Sequence, residues 1–154
     1  MDGSAGKTST GTRTSSSCFL NKSVTEWLAD KVQALTGKPA AHQEPAQVCR
    51  YTKGQFYRPH FDAFDLTTEP GRECCSSGGQ RVGTVLVYLN DVTAGGGTGF
   101  PKLGKSIRPK QGRALVFFPS TLDGALDEMA LHSGEDADDE KWVCQVWIRQ
   151  SVFG

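Results

Sequence analysis

Charge of one sign, a long apolar run and paired-cysteine spacing are all missing from this chain, and each absence removes a class of protein. Lys and Arg together number 17, as do Asp and Glu, so the formal net charge is zero. That balance gives no electrostatic footprint for a polyanion and argues against nucleic acid as a partner. No apolar stretch approaches the ~20 residues that a spanning helix needs, so no membrane segment is expected. Met1 to Ser17 is rich in Ser, Thr and Gly and lacks the apolar core of a secretory signal. The cysteines, Cys18, Cys49, Cys74, Cys75 and Cys144, are odd in number and form no C-x-x-C pair. A zinc knuckle and a thioredoxin-like redox motif are therefore unsupported. Cys49 and Cys144 lie in apolar runs and read as buried small hydrophobes, whereas Cys74-Cys75 falls in a loop open to oxidation.

What is present suits one compact domain: 154 residues with 37% hydrophobic content. Residues 1–12 read as a flexible tail and 13–154 as the domain. Ser23-Val24-Thr25-Glu26 has the form of a capping box, and Val24, Trp27, Leu28, Val32 and Leu35 recur at helical spacing until Gly37 and Pro39. This predicts a helix over Val24 to Thr36 whose apolar stripe packs on a sheet. Beyond it the period shifts to two. Strands are expected at Gln47–Tyr51, Phe56–Phe64, Arg81–Asn90, Ser106–Arg108, Arg113–Phe118 and Lys141–Val152, with long loops at Pro70–Gly79 and Ser120–Met129. Short strands after one helix suggest a sandwich or a jelly roll.

Three histidines occur, and His60-Phe61-Asp62 is the informative one. On a strand, residues two apart share a face, so His60 and Asp62 can offer an imidazole and a carboxylate to one ion. His42, in a Pro/Ala-rich loop, reads as solvated. His132 stands at a loop exit before the last strand, where it could close a set of three from the opposite sheet. Two histidines and a carboxylate with open positions suit non-haem Fe(II), and they also suit zinc. Lys141 leads a strand whose two faces are both largely apolar; a lysine buried there needs an anionic partner.

The segment Tyr51 to Asp62 resembles the prolyl 4-hydroxylase pattern Y-x-x-G-Q-x-Y-x-x-H-x-D. The likeness continues in order through Gly78 to Val82, Thr84 to Val92, Gly95 to Pro101, Arg108 to Lys110, Gly112 to Phe118, His132 to Gly134, Lys141-Trp142 and Trp147-Ile148. Arg13 to Ser17 with Phe19-Leu20 is similar to that family's R-T-S-S segment, so the resemblance spans about residues 13 to 150. It implies a mainly β fold, a double-stranded β-helix or jelly roll with a flanking α-helix, and makes residues 13–154 a dioxygenase catalytic domain. It further implies Fe(II) on His60, Asp62 and His132, with these as the catalytic centre. Lys141 would hold the distal carboxylate of the co-substrate 2-oxoglutarate, with hydroxyl help from Tyr51 and Thr98 and with Tyr88 in the same pocket. Arg81 and Trp147 fall on the substrate side. The implied reaction uses O2, releases succinate and carbon dioxide, and hydroxylates a peptidyl proline at C4, with ascorbate rescuing oxidised iron. Phe61, Val116 and Phe118 would limit water at the site. A proline-containing peptide or protein is the implied partner, and an endoplasmic-reticulum or secretory compartment is suggested by the resemblance alone.

The chain departs from the family in places. Between His132 and Lys141 it carries Glu135-Asp136-Ala137-Asp138-Asp139-Glu140 in place of a Cys-Pro and a Gly. Gly97 replaces an acidic residue, and Arg149 stands where many relatives have a histidine. Three other readings remain at this stage. They are the same iron chemistry on another side chain, a free amino acid or a small metabolite; a jelly-roll module that binds metal or peptide without catalysis; and a zinc hydrolase, which would need a general base.

Overall fold

The computed structural model describes residues 6–7 and 11–154. Of the tail expected at residues 1–12, positions 1–5 and 8–10 lie outside the described residues. The strands are β1 (Gly6–Lys7), β2 (Ser16–Phe19), β3 (Gln47–Tyr51), β4 (Tyr57–His60), β5 (Arg81–Tyr88), β6 (Thr98–Phe100), β7 (Lys105–Ile107), β8 (Ala114–Phe117), β9 (His132–Gly134) and β10 (Lys141–Arg149). Helices α1 (Glu26–Thr36) and α2 (Glu69–Cys74) precede β3 and β5. Among the described residues all pairings are antiparallel and build a six-stranded sheet, β1-β2-β3-β10-β5-β8, and a four-stranded sheet, β4-β9-β6-β7. From β3 to β10 the chain passes back and forth between the two sheets, which is the double-stranded β-helix.

Alternation along the central strands sorts side chains between two environments. Leu28, Val32, Val85, Cys144, Val146 and Ile148 form one apolar cluster, on the outer face under α1. Cys49, Tyr51, Leu86, Tyr88 and Val143 form another, between the sheets. Strand β10 thus sends Lys141, Val143, Gln145 and Trp147 inward, as its sequence predicts.

Helix α1 differs from its expected form at the N-terminal end. Ser23 lies in a 3₁₀ turn, Lys22–Val24, where its N–H and hydroxyl both donate to Asn21 Oδ1. The capping box is therefore not made, and the helix starts at Glu26 behind Thr25. Its end is as expected: Gly37 adopts φ 70°, a left-handed conformation that costs glycine little, and donates to the Gln33 carbonyl. Only part of the apolar stripe reaches the sheet. Leu28 and Val32 are buried, but Trp27 and Leu35 are 61% and 60% exposed. They flank a groove of about 590 Å³ with Val48, Val85 and Val87 in its lining and Lys31 as its one charged side chain.

Two expected loops contain short elements, because their capping chemistry is local while their packing is not. Within residues 70–79 the first turn belongs to α2, capped by the Thr68 hydroxyl, which accepts from Gly71 N. Residues 120–129 are closed by a bridge between Ser120 and Leu126 and end in a 3₁₀ turn. Strands β6 and β9, three residues each, were too short for an alternation to show.

Candidate active site

Strands β4 and β9 are neighbours in the four-stranded sheet, and their register sets His60 opposite His132. His132 therefore comes from a strand beside His60, not from a loop exit on the opposite sheet. Asp62 is also displaced from its expected place, since β4 ends at His60 and the aspartate lies in the bend that follows. The bend still brings it home. His60 Nε2 is 3.8 Å from Asp62 Oδ1, His132 Nε2 is 3.6 Å from Asp62 Oδ2, and one ligand atom from each residue lies within 4.8 Å of the others.

Each imidazole is fixed in one tautomer. His60 Nδ1 is 2.8 Å from the Arg58 carbonyl and His132 Nδ1 is 2.9 Å from the Ala130 carbonyl. A carbonyl only accepts, so both Nδ1 atoms carry the proton and both Nε2 lone pairs face the shared point. Burial, helped by the neighbouring His132, lowers the His60 pKa to about 4, which leaves it neutral and ready to ligate at pH 7. Tyr57 stacks on His60 with centroids 3.5 Å apart, and Phe117 meets the His132 ring edge-on at 4.7 Å. Thr84, fully buried, donates to Asp62 Oδ2 at 2.8 Å. Two aimed lone pairs and a buried carboxylate converging on one point form a donor set that fits a divalent cation such as Fe(II).

One small cavity joins this cluster to Lys141; Tyr51, His60, Thr98, His132 and Lys141 all line it. Lys141 is 2% exposed, and its Nζ donates to the Gly96 carbonyl at 2.8 Å and sits 4.3 Å over the Tyr51 ring. An ammonium has more donors than this single carbonyl uses, and burial lowers its pKa to about 8. Among the described residues no carboxylate pairs with it directly. Thr98 and Tyr88 lie together, their hydroxyl oxygens 2.6 Å apart, and Tyr88 also donates to the Ile107 carbonyl at 3.1 Å. Burial pushes Tyr51 up to about 12, so its hydroxyl keeps its proton.

Arg81 and Trp147 meet in a third cluster. The Arg81 guanidinium carbon lies 3.8 Å over the Trp147 ring, and Arg81 Nη1 donates to the Asp62 carbonyl at 3.3 Å. Buried Glu44 takes Arg81 Nε and Nη2 on its two oxygens at 2.7 and 2.8 Å. Arg149 Nε is 2.6 Å from the same Glu44 Oε1 but is not aimed as a hydrogen bond, while its Nη1 ties down the Cys74 and Gly79 carbonyls. Trp147 Nε1 is buried without a partner among the described residues.

Sequence reasoning overlooked Thr84 and Glu44. The period-two pattern that places Leu86 and Tyr88 inward places Thr84 there too, so a signal existed for it. Nothing local announced Glu44, because its arginines come from strands far along the chain. The expected water barrier is also corrected. Phe118 is 63% exposed and Val116 packs with the outer cluster; Phe100 and Phe117 stand by the histidines instead. His42, expected to be solvated, is half-buried with Nδ1 3.3 Å from the Arg149 carbonyl.

The sequence profile described as the 2OG-Fe(II) oxygenase superfamily matches residues 46–149. A probable prolyl 4-hydroxylase 6 from Arabidopsis thaliana is 36% identical over 164 aligned residues, covering 92% of this chain and 55% of the relative. A putative prolyl 4-hydroxylase from Acanthamoeba polyphaga mimivirus is 37% identical over 117 residues, covering 75% of this chain and 48% of the relative. The chain thus spans about half the length of the curated relatives it matches. Among solved structures, the viral collagen prolyl hydroxylase vCPH from Paramecium Bursaria Chlorella virus-1, in its 2OG complex, superposes with a TM-score of 0.75 at 27% identity, covering 90% of this chain and 80% of that one.

Proposed function

The chain belongs to the 2OG-Fe(II) oxygenase superfamily, and on that premise we propose that it hydroxylates peptidyl proline at C4, with 2-oxoglutarate as co-substrate and succinate and carbon dioxide as by-products. The observation that carries the reading is a single cavity lined by both His60 and His132, whose donors cluster with Asp62, and by a buried, under-used ammonium at Lys141. Proline as the target is supported by the prolyl hydroxylases among the relatives.

His60, Asp62 and His132 hold Fe(II). When bound, the iron supplies the oxygen activation that couples decarboxylation of 2-oxoglutarate to attack on an unactivated C–H bond. The rest is done by this chain's own groups. Thr84 and the carbonyls of Arg58 and Ala130 hold the ligands in orientation. Lys141 takes the distal carboxylate of 2-oxoglutarate in a charge-assisted bond, with a second donor from the Tyr51 hydroxyl. Thr98 gives a third once Tyr88 turns its proton from the Ile107 carbonyl toward Thr98. Phe100 and Phe117 keep water from the His132 side. On the substrate side, Arg81 stacked on Trp147 forms a flat wall beside Asp62. Ascorbate serves as the reductant that keeps the iron ferrous.

The test is turnover with Fe(II), 2-oxoglutarate, ascorbate and air against a panel of proline-containing peptides, followed by mass spectrometry. Succinate formation that depends on the peptide, with one oxygen gained on a proline, is the expected result. Succinate without a proline product would remove the substrate assignment and leave the co-substrate assignment standing.

A further inference from the structure

Beside the anion pocket lies a carboxylate that the chemistry above does not use. Glu135 follows β9; its N–H donates to the Gly97 carbonyl at 2.9 Å, and Ser106 Oγ donates to its Oε2 at 2.8 Å. The side chain is seated against two glycines. A Cβ at Gly99 would come within 2.5 Å of Glu135 Oε1, and one at Gly97 would collide with Oε2. Lys141 reaches the same turn from β10, through the Gly96 carbonyl. A cation and an anion are thus fixed on neighbouring residues of one turn, and no direct ion pair joins them.

We infer that Glu135 is a positioning residue for Lys141: its seated carboxylate is the counter-charge that keeps the lysine an ammonium, and so able to receive the distal carboxylate of 2-oxoglutarate. The inference rests on the co-substrate reading of the pocket. Its physical basis is that desolvation works against the ammonium, and Glu135 is the strongest influence opposing it. The other groups around Lys141 do not supply that charge: Asp138, whose Oδ2 stands by Gly95 in the same turn, is not among the influences on the lysine. Cys49 and Tyr51 on β3, Tyr57 on β4 and Tyr88 on β5 are all pushed up by burial and stay neutral at pH 7. His60 is neutral, Thr98 carries no charge, Arg13 beside Cys49 is itself a cation, and Asp62 lies between two imidazoles. Standing one step away also has a purpose. A carboxylate in contact with Nζ would occupy the donors that the co-substrate needs, whereas one across the turn acts through the field and leaves them open. The incoming carboxylate touches the ammonium while Glu135 does not, so contact attraction exceeds the longer-range repulsion.

The experiment compares wild type with Glu135→Gln, which keeps the shape and the Ser106 bond but removes the charge, and with Glu135→Asp, which restores charge. The Lys141 Nζ pKa is read by NMR in each protein, without any added ligand. In parallel, 2-oxoglutarate is titrated into anaerobic Fe(II)-loaded protein from pH 6.5 to 9.5. Glu135→Gln is expected to lower the lysine pKa, and the pH above which co-substrate affinity falls, by about half a unit, with Glu135→Asp recovering part of the shift. An unmoved lysine pKa in Glu135→Gln overturns the inference, as does tighter co-substrate binding at every pH with the alkaline limb in place. The outcomes separate cleanly: absence of 2-oxoglutarate binding by wild type defeats the co-substrate reading, while the ligand-free lysine titration still decides what Glu135 does to Lys141.

Discussion

The two faces of the six-stranded sheet are built from the same strands and do opposite work. Outward, Val85 on β5 and Cys144, Val146 and Ile148 on β10 pack against Leu28 and Val32 of α1 with no charge among them. Inward, one residue away along each strand, stand Thr84, Tyr88, Lys141, Gln145 and Trp147. Apolar burial on the outer face contributes stability of about 25 cal/mol per Å² removed from water. The inner face gives some of that back by burying an ammonium that has one acceptor, and a tryptophan N–H that has none, among the described residues. Period-two alternation is what lets one strand serve both ends.

The sharpest way to break this division is at the metal donors. His132→Ala should reduce turnover to background and abolish the visible band formed by Fe(II) with 2-oxoglutarate under anaerobic conditions. The melting midpoint should change little, because the residue contributes lone pairs more than packing. A large loss of stability with retained turnover would mean that the inner face is structural.

Lys141→Met is next in size. Removing a charge-assisted contact should weaken 2-oxoglutarate binding by about 100-fold, measured by calorimetry. The same change should leave thermal stability unchanged or raised, since it replaces a desolvated cation by an apolar chain. Stability lost in step with affinity would contradict the idea that Lys141 stands at a cost to the fold. The pH dependence has a definite sign. Lys141 is an ammonium below about 8, so kcat/KM for 2-oxoglutarate should hold at lower pH and fall as pH rises through that value.

Thr84→Val tests support behind the ligands. Losing its hydrogen bond to Asp62 should cost about tenfold in metal affinity, read by competition with a chelator, with folding nearly intact. The smallest functional effect belongs to the outer face. Val32→Ala should lower stability by ~2 kcal/mol and the melting midpoint by roughly 4–8 °C, and should leave turnover unchanged well below that midpoint.

Much of this division was legible in advance where the signal is local. The inward set on β10 follows from alternation alone, and the end of α1 follows from Gly37. The His60 and Asp62 pair was visible as a spacing, although the geometry behind it is a bend and not a strand. Three-residue strands such as β9 carry too few positions to display a period, so His132 looked like a loop residue. The helix stripe was read as a face packed on a sheet because amphipathicity shows which face is apolar and not how much sheet lies opposite. Trp27 and Leu35 mark that difference.

By itself the sequence determined the periods and the turns, because each of these depends on residues close together in the chain, and its ordered motifs carried the resemblance that implied the jelly roll. Only the tertiary structure decided which distant groups meet. It set His132 beside His60 by strand register, Glu44 between Arg81 and Arg149, and Glu135 in the seat left by two glycines near Lys141. Those partnerships join side chains up to more than a hundred residues apart, as in the 2.6 Å approach of Glu44 and Arg149, and electrostatics acts through space and not along the chain.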